Sequence, residues 1–353
     1  MLIRNEDGKQ IRTVVLTRCP LGGASEIALQ KGWLKESFSL LNADTIMLQE
    51  LPPSEWRKHF SQEPPLDFRD GGNVPAIWSH AKGRNTKVIG LTAVRQAHAI
   101  IVAPDAEIHR VEDLAGKTLS IPDYQDLEID FLRAMTLRGY DTILRAYNIP
   151  EDKVRFVDSR ASYKRNARHM SPEGKLVEKV EDEKDFISEH VEDLAALKEG
   201  RIDAFFSHIS FVHQIVSRGL GRVLIDIAET DLPLTNNSYP AVITVDADFA
   251  EENRPLVTAY LRTLIRSARW EKEHYEEAQQ IAARGQYGAS TADVRNSRKE
   301  GWDQYFEPSF DPYLTGMLAD QKAFLLEKGF LQKDFDLAAW LDDSFLNEAL
   351  QTL

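Results

Sequence analysis

Val111-Glu112-Asp113-Leu114-Ala115-Gly116-Lys117-Thr118-Leu119-Ser120-Ile121 condenses a whole structural unit into one short run. Ile108 to Leu114 reads as a short helix, Gly116 as the turn that ends it, and Thr118 to Ile121 as a buried strand. A second run, Lys198-Glu199-Gly200-Arg201-Ile202-Asp203-Ala204, has the same grammar. There a helix from Glu192 to Lys198 stops at Gly200, and Ile202 to Ser207 follows as a strand. Between and around these lie strands at Ala97–Val102, Val154–Val157 and Val223–Ile227. Helical periodicity covers 130–138, 142–147 and 211–217. Strands alternating with helices predict an α/β protein whose parallel sheet is covered on both faces.

Upstream, Ile11 to Leu16 reads as a first strand ending at Cys19-Pro20. Gly22-Gly23 is a turn, Ser25 the cap of a short helix from Glu26 to Lys31, and Gly32 its close. Prolines at 52–53 and 64–65 bracket a short helical segment with Trp56, His59 and Phe60. In Arg69-Asp70-Gly71-Gly72 the paired glycines let backbone approach a ligand closely. A helix over 74–80 and a buried strand over 87–93 follow. Downstream, Tyr239 to Val245 is a strand, and from Pro255 onward the chain reads as helical: 256–273, 312–329 and 335–351. The polar stretch from Ser159 to Asp185, basic first and acidic later, reads as a long surface loop.

The chain has 353 residues, a formal net charge of -13, 42% hydrophobic and 28% charged residues. That length fits two lobes, and the composition is that of a globular protein. The acidic balance argues against nucleic-acid or anionic-membrane partners, which call for a basic footprint. It also gives weight to any arginine in a cleft, because an anionic ligand needs local positive charge. A single cysteine excludes an intramolecular disulfide. The first residues hold no apolar signal core, and no run nears the roughly 20 residues of a membrane span. A cytoplasmic location is the expectation.

That one cysteine shares its neighbourhood in sequence with His59, Arg69 and Gly72. A thiol at a strand end before a helix lies where helix N–H groups and nearby cations favour a thiolate. Together a thiol, an imidazole, a guanidinium and a backbone N–H suit the processing of a small anion. Asp123, Tyr124, Ser207 and His208 follow strand ends and are candidate cleft liners. No histidine pair has clear metal-ligand spacing: His208 and His213 do not stack on one helical face. Neither a metal nor a redox cofactor is expected.

The runs V-E-D-L-A-G-K (111–117) and K-E-G-R-I-D-A (198–204), with A-S-E-I-A-L-Q-K-G-W-L (24–34), resemble signatures of the type II periplasmic-binding-protein fold. The resemblance implies two lobes about a central cleft plus C-terminal helices. Residues 1–96 and 238–353 would form the first lobe and 97–237 the second. Within that superfamily, Cys19-Pro20, His59-Phe60 and Arg69-Asp70-Gly71-Gly72 resemble the hydroxybiphenyl-sulfinate desulfinase branch, including its ten-residue His-to-Arg spacing. The resemblance implies Cys19, His59 and Arg69 as catalytic residues, with Arg69 and the Gly72 N–H holding the substrate. The sequence departs from the branch at Gly22-Gly23-Ala24, where bulkier residues are usual, and at Asp70, where an aromatic stands.

The implied reaction is hydrolysis of the C–S bond of an organic, aryl-type sulfinate to sulfite, with a small anionic organosulfur substrate and neither nucleic acid nor membrane as partner. Two routes remain open for Cys19: attack on sulfur as thiolate, or proton donation to carbon as thiol. The rival class is a non-catalytic binding protein of an ABC transporter, for a sulfonate, nitrate or pyrimidine-type ligand. A decarboxylase is a third possibility with no motif of its own.

Overall fold

The computed structural model describes residues 2–4, 10–160, 189–286 and 289–353. Its strands form two sheets. The first has the order β1-β2-β4-β11-β5-β12, with β3 paired to β2, and the second the order β10-β6-β9-β7-β8. In chain order these are β1 Leu2–Arg4, β2 Gln10–Arg18, β3 Ala43–Met47, β4 Phe68–Gly72, β5 Thr86–Ala93 and β6 His98–Val102. Then come β7 Thr118–Asp123, β8 Arg155–Arg160, β9 Ala204–His208, β10 Arg222–Asp226, β11 Ala241–Asp246 and β12 Tyr305–Ser309.

Both sheets are mixed, which corrects the expected parallel sheet. β2 runs parallel to β3 and β4, but β11 lies antiparallel between β4 and β5. In the second sheet β7 is parallel to β8 and β9, whereas β6 is antiparallel to β9 and β10. A chain that leaves the first sheet at β5 and re-enters it at β11 brings in a strand from a distant segment. Nothing in alternating periodicity encodes its direction.

Four local expectations also change. The helix read as two pieces is one, Phe131–Ala146. Gly139 reads as a break, yet it stays helical because the Phe206 ring from β9 packs directly against its bare Cα. An alanine there would drive a methyl into that ring. Gly139→Ala should therefore cost about 1–3 kcal/mol in chemical denaturation; unchanged stability would show that the ring moves freely.

Ser25 is not a cap but lies inside the Ala24–Gln30 helix, buried beside Asp70. The strand expected from Tyr239 begins at Ala241, and Gly71 and Gly72 lie within β4. The C-terminal part is not all helix: β12 intervenes, with further helices at Tyr275–Gly285 and Thr291–Ser297. Beyond Arg160, the polar stretch to Asp185 lies outside the described residues.

The first sheet is packed by the 20-residue Arg254–Glu273 helix, where Tyr260 stacks on Phe68 of β4 at 4.4 Å between ring centroids. That helix also supplies Glu271, fully buried and paired at 2.5 Å with Arg298. Arg298 in turn donates to the Gly22 carbonyl at 3.0 Å, and Gln96 donates to the Leu21 carbonyl at 3.0 Å. The loop after Cys19 is thus fastened from the C-terminal helices and from the start of the second sheet. Among the described residues no helix is long and apolar enough to cross a membrane.

Candidate active site around Cys19

Cys19 follows the last residue of β2, and its N–H donates to the Asp70 carbonyl on β4 at 2.8 Å. β2 and β4 run side by side, so the thiol reaches across toward Gly71. A Cβ on Gly71 would fall well inside van der Waals contact of Cys19 Sγ. The close approach expected of the glycine pair is real, and what approaches is the sulfur.

His59 lies on the short Lys58–Ser61 helix, with Nε2 3.1 Å from Cys19 Sγ. Its Nδ1 is 2.9 Å from Thr17 Oγ1, which also accepts a bond from Gln49 Nε2 at 3.3 Å. Thr17 and Gln49 are additions that the sequence reading missed. Thr17 is two residues before Cys19, so strand alternation puts it on the same side, a signal available in the sequence. The imidazole is therefore held from behind. Thr17→Val removes the oxygen behind Nδ1 and should slow a reaction that uses His59 about tenfold, or roughly 1.4 kcal/mol. Thr17→Ser should restore it, with kcat rather than KM carrying the change.

Arg69 is 1% exposed. Its Nε donates to the His59 carbonyl at 2.8 Å, and its Nη2 lies 3.9 Å from Cys19 Sγ. Among the described residues Nη1 is buried with no hydrogen-bond partner. A buried guanidinium donor left unpaired is costly, and it is satisfied when an anion arrives. Asp70, next in sequence, points to the other face of β4 and bonds Ser25. Burial pushes its carboxyl up, opposed by Ser25, Arg69 and Arg18.

The Gly72 N–H bonds the Cys19 sulfur and stands at the cap of the Asn73–Ala81 helix. That helix start is clamped by the segment before β11. Asn73 N–H donates to the Asn237 carbonyl at 2.7 Å, and Val74 N–H to Asn237 Oδ1 at 3.0 Å. Asn73 Nδ2 donates to the carbonyls of Asn236 and Pro240, at 2.7 and 2.8 Å. Any side chain at position 72 would collide with Asn237. The Gly72 N–H is thus aimed by a buried polar clamp.

The expected thiolate is not the resting form. Burial is the strongest influence on the Cys19 thiol and pushes it above its ordinary 9.0. Arg69, the Gly72 N–H and Arg18 pull the other way without reversing it, and Asp70 adds to the rise. Desolvation outweighs the cations and the helix end. Alkylation of Cys19 by iodoacetamide should consequently reach half its maximal rate only above pH 9.0. A midpoint near neutrality would mean that the cations dominate.

A small pocket opens beside the sulfur, walled by Leu21, Ser25, Asp70, Thr92, Gln96 and Ser238 among others. Gln96 Oε1 is buried there without a partner. None of the four expected cleft liners walls this small pocket. Asp123 faces Arg160 and Gln125. Tyr124 is buried in the core, its N–H bonded to Asp130 at 2.7 Å. Ser207 is fully buried against His190 Nε2 at 3.0 Å, and His208 lies by Glu189 and His98. Strand ends were the right place to look. The polar run Asn236-Asn237-Ser238 before β11 was the better signal, since three amide and hydroxyl side chains ahead of a buried strand need partners.

No family model matches the chain. It is 23% identical to the 2'-hydroxybiphenyl-2-sulfinate desulfinase of Rhodococcus erythropolis, over 96% of this chain and 93% of that protein. Among solved structures it is similar to a cysteine-to-serine variant of the desulfurization enzyme DszB in complex with biphenyl-2-sulfinic acid. The TM-score is 0.77 at 20% identity, covering 97% of this chain and 99% of that one. It is also similar to the periplasmic sulfonate-binding protein SsuA of Methylobacillus flagellatus, with TM-score 0.68 and 15% identity over 97% and 94% of the two chains. These likenesses show the fold: two sheets in the periplasmic-binding-protein architecture.

Proposed function

We propose that the chain is a sulfinate desulfinase, hydrolysing the C–S bond of an organic sulfinate to sulfite and the corresponding hydrocarbon or arene. One observation carries this reading. The Cys19 sulfur sits within reach of His59 Nε2, the Arg69 guanidinium and the Gly72 N–H at once, and Arg69 keeps a buried donor free. An anion needs the guanidinium and the N–H, but a thiol held by an imidazole adds nothing to passive binding. Similarity over nearly the whole chain to a desulfinase supports it.

In this reading the sulfinate oxygens lie between Arg69 Nη1 and the Gly72 N–H, with charge-assisted bonds to both. The carbon bearing sulfur then faces the thiol. A thiol pushed above its ordinary range is present as S–H at neutral pH, and an incoming anion raises it further. Proton donation therefore suits Cys19 better than attack as thiolate on a negatively charged group.

The Cys19 proton goes to carbon, the C–S electron pair becomes the new C–H bond, and sulfur dioxide leaves. Water converts it to bisulfite and a proton, which returns to the thiolate by way of His59. The balance is R–SO2⁻ plus H2O giving R–H and HSO3⁻. Because the thiol is the working form, turnover should fall as pH rises through the raised Cys19 pKa.

The test is sulfite release from aryl and alkyl sulfinates. Release with Cys19 intact supports the reading; tight sulfonate binding without release from any sulfinate supports the transporter-type rival that the SsuA likeness brings to mind.

A further inference from the structure

A second convergence of chemistry-bearing side chains lies at the end of β9. Glu189, His190 and His208 each bring one ligating atom into a common space, all within 4.8 Å of one another. Among the described residues, Glu189 Oε2 and His208 Nδ1 are buried without hydrogen-bond partners. Such orphaned atoms are uncommon in native proteins and point to a missing ion or water. An ion pair does not account for them, since the 3.9 Å from Glu189 Oε2 to His208 Nε2 is beyond hydrogen-bonding length.

His190 is already oriented as a ligand would be. Its Nδ1 is 3.1 Å from Asp193 Oδ2, and Asp193 is itself held by the Ser120 hydroxyl. With Nδ1–H given to the carboxylate, Nε2 presents its lone pair, met by the Ser207 hydroxyl at 3.0 Å. A carboxylate behind an imidazole is the usual support of a metal-bound histidine.

We propose that Glu189, His190 and His208 form a binding site for a divalent transition-metal ion, with zinc the best chemical match. Two imidazoles and a carboxylate are a zinc donor set, leaving one position for water. Ligand atoms about 2 Å from a tetrahedral zinc stand roughly 3.3 Å apart, so small side-chain rotations close the site. The Ser207 hydroxyl turns away from the His190 lone pair as the metal takes it. Binding favours the Glu189 carboxylate and releases whatever proton it carries.

The ion joins the residues that lead into the Val191–Lys198 helix to the end of β9. Spacing along one helix could not reveal the site, because its ligands come from two elements.

The full chain, stripped with chelator, is titrated with zinc chloride by calorimetry and melted with and without zinc. The expected result is one zinc per chain and a melting temperature higher by about 5 °C. Glu189→Gln and His208→Gln should each weaken binding at least tenfold while circular dichroism stays native. Cys19→Ser should bind zinc as the parent does. If His208→Gln fails to fold, Glu189→Gln alone decides. Absence of saturable zinc binding overturns the proposal. So does binding that Cys19→Ser abolishes and Glu189→Gln leaves intact.

Discussion

Cys19→Ser should lower sulfite release by about 10²–10⁴-fold while leaving sulfinate binding close to that of the parent. The hydroxyl is nearly isosteric, so the bond from Arg69 Nε to the His59 carbonyl and the clamp on Gly72 are untouched. What changes is acidity: an alcohol is a far poorer proton donor to carbon than a thiol. Loss confined to kcat, with ligand affinity preserved, would assign the thiol to the chemical step. Near-parent turnover in Cys19→Ser would remove the cysteine from the mechanism. A parallel collapse of binding would instead make it part of the anion cradle.

Gly71→Ala should be nearly as damaging, at about 10²-fold or more, although no reacting group is removed. The added methyl would occupy the space of the Cys19 sulfur and crowd Arg69 Nη2. Gly71 lies in β4 and pairs with Val242 of β11, so the strand backbone cannot easily retreat. The thiol must move instead, and displacement by about 1 Å is enough to cost that much in a positioned reaction. The variant should fold, bind sulfinate weakly and alkylate with a changed pH profile. Parent-like turnover would show that the sulfur need not sit where it does.

Much of this site was legible in the sequence, for specific reasons. Cys19, His59, Arg69 and Gly72 all fall within residues 19–72, and the Lys58–Ser61 helix leads by a short connection into β4, which pairs directly with β2. Proximity in sequence therefore became proximity in space. Thr17 follows from strand alternation once Cys19 is chosen.

Asn237, Gln96 and Ser238 come from far along the chain, carried in by β11 and the start of the second sheet. The polar run 236–238 marks a segment in need of partners, but only tertiary packing tells which partners it finds. The same holds for sheet direction, because an antiparallel β11 between β4 and β5 has the same apolar run as a parallel strand. Gly139 misled for a related reason. A glycine that ends a helix and one that admits a neighbouring ring look alike until the ring, here Phe206, is known. The thiolate expectation left out burial, which acts more strongly than the cations, and the N–H beside the sulfur comes from the start of the Asn73–Ala81 helix rather than from the helix expected at 26–31.

The most direct test of the central claim measures both products from one reaction. The chain is incubated in deuterated buffer with 2'-hydroxybiphenyl-2-sulfinate and, separately, with a short alkyl sulfinate. Sulfite and the desulfinated hydrocarbon are quantified together. The account predicts equimolar amounts from at least one substrate, with one deuterium on the carbon that carried sulfur. Sulfinate held by the protein but recovered unchanged from every reaction, with no sulfite formed, would contradict it.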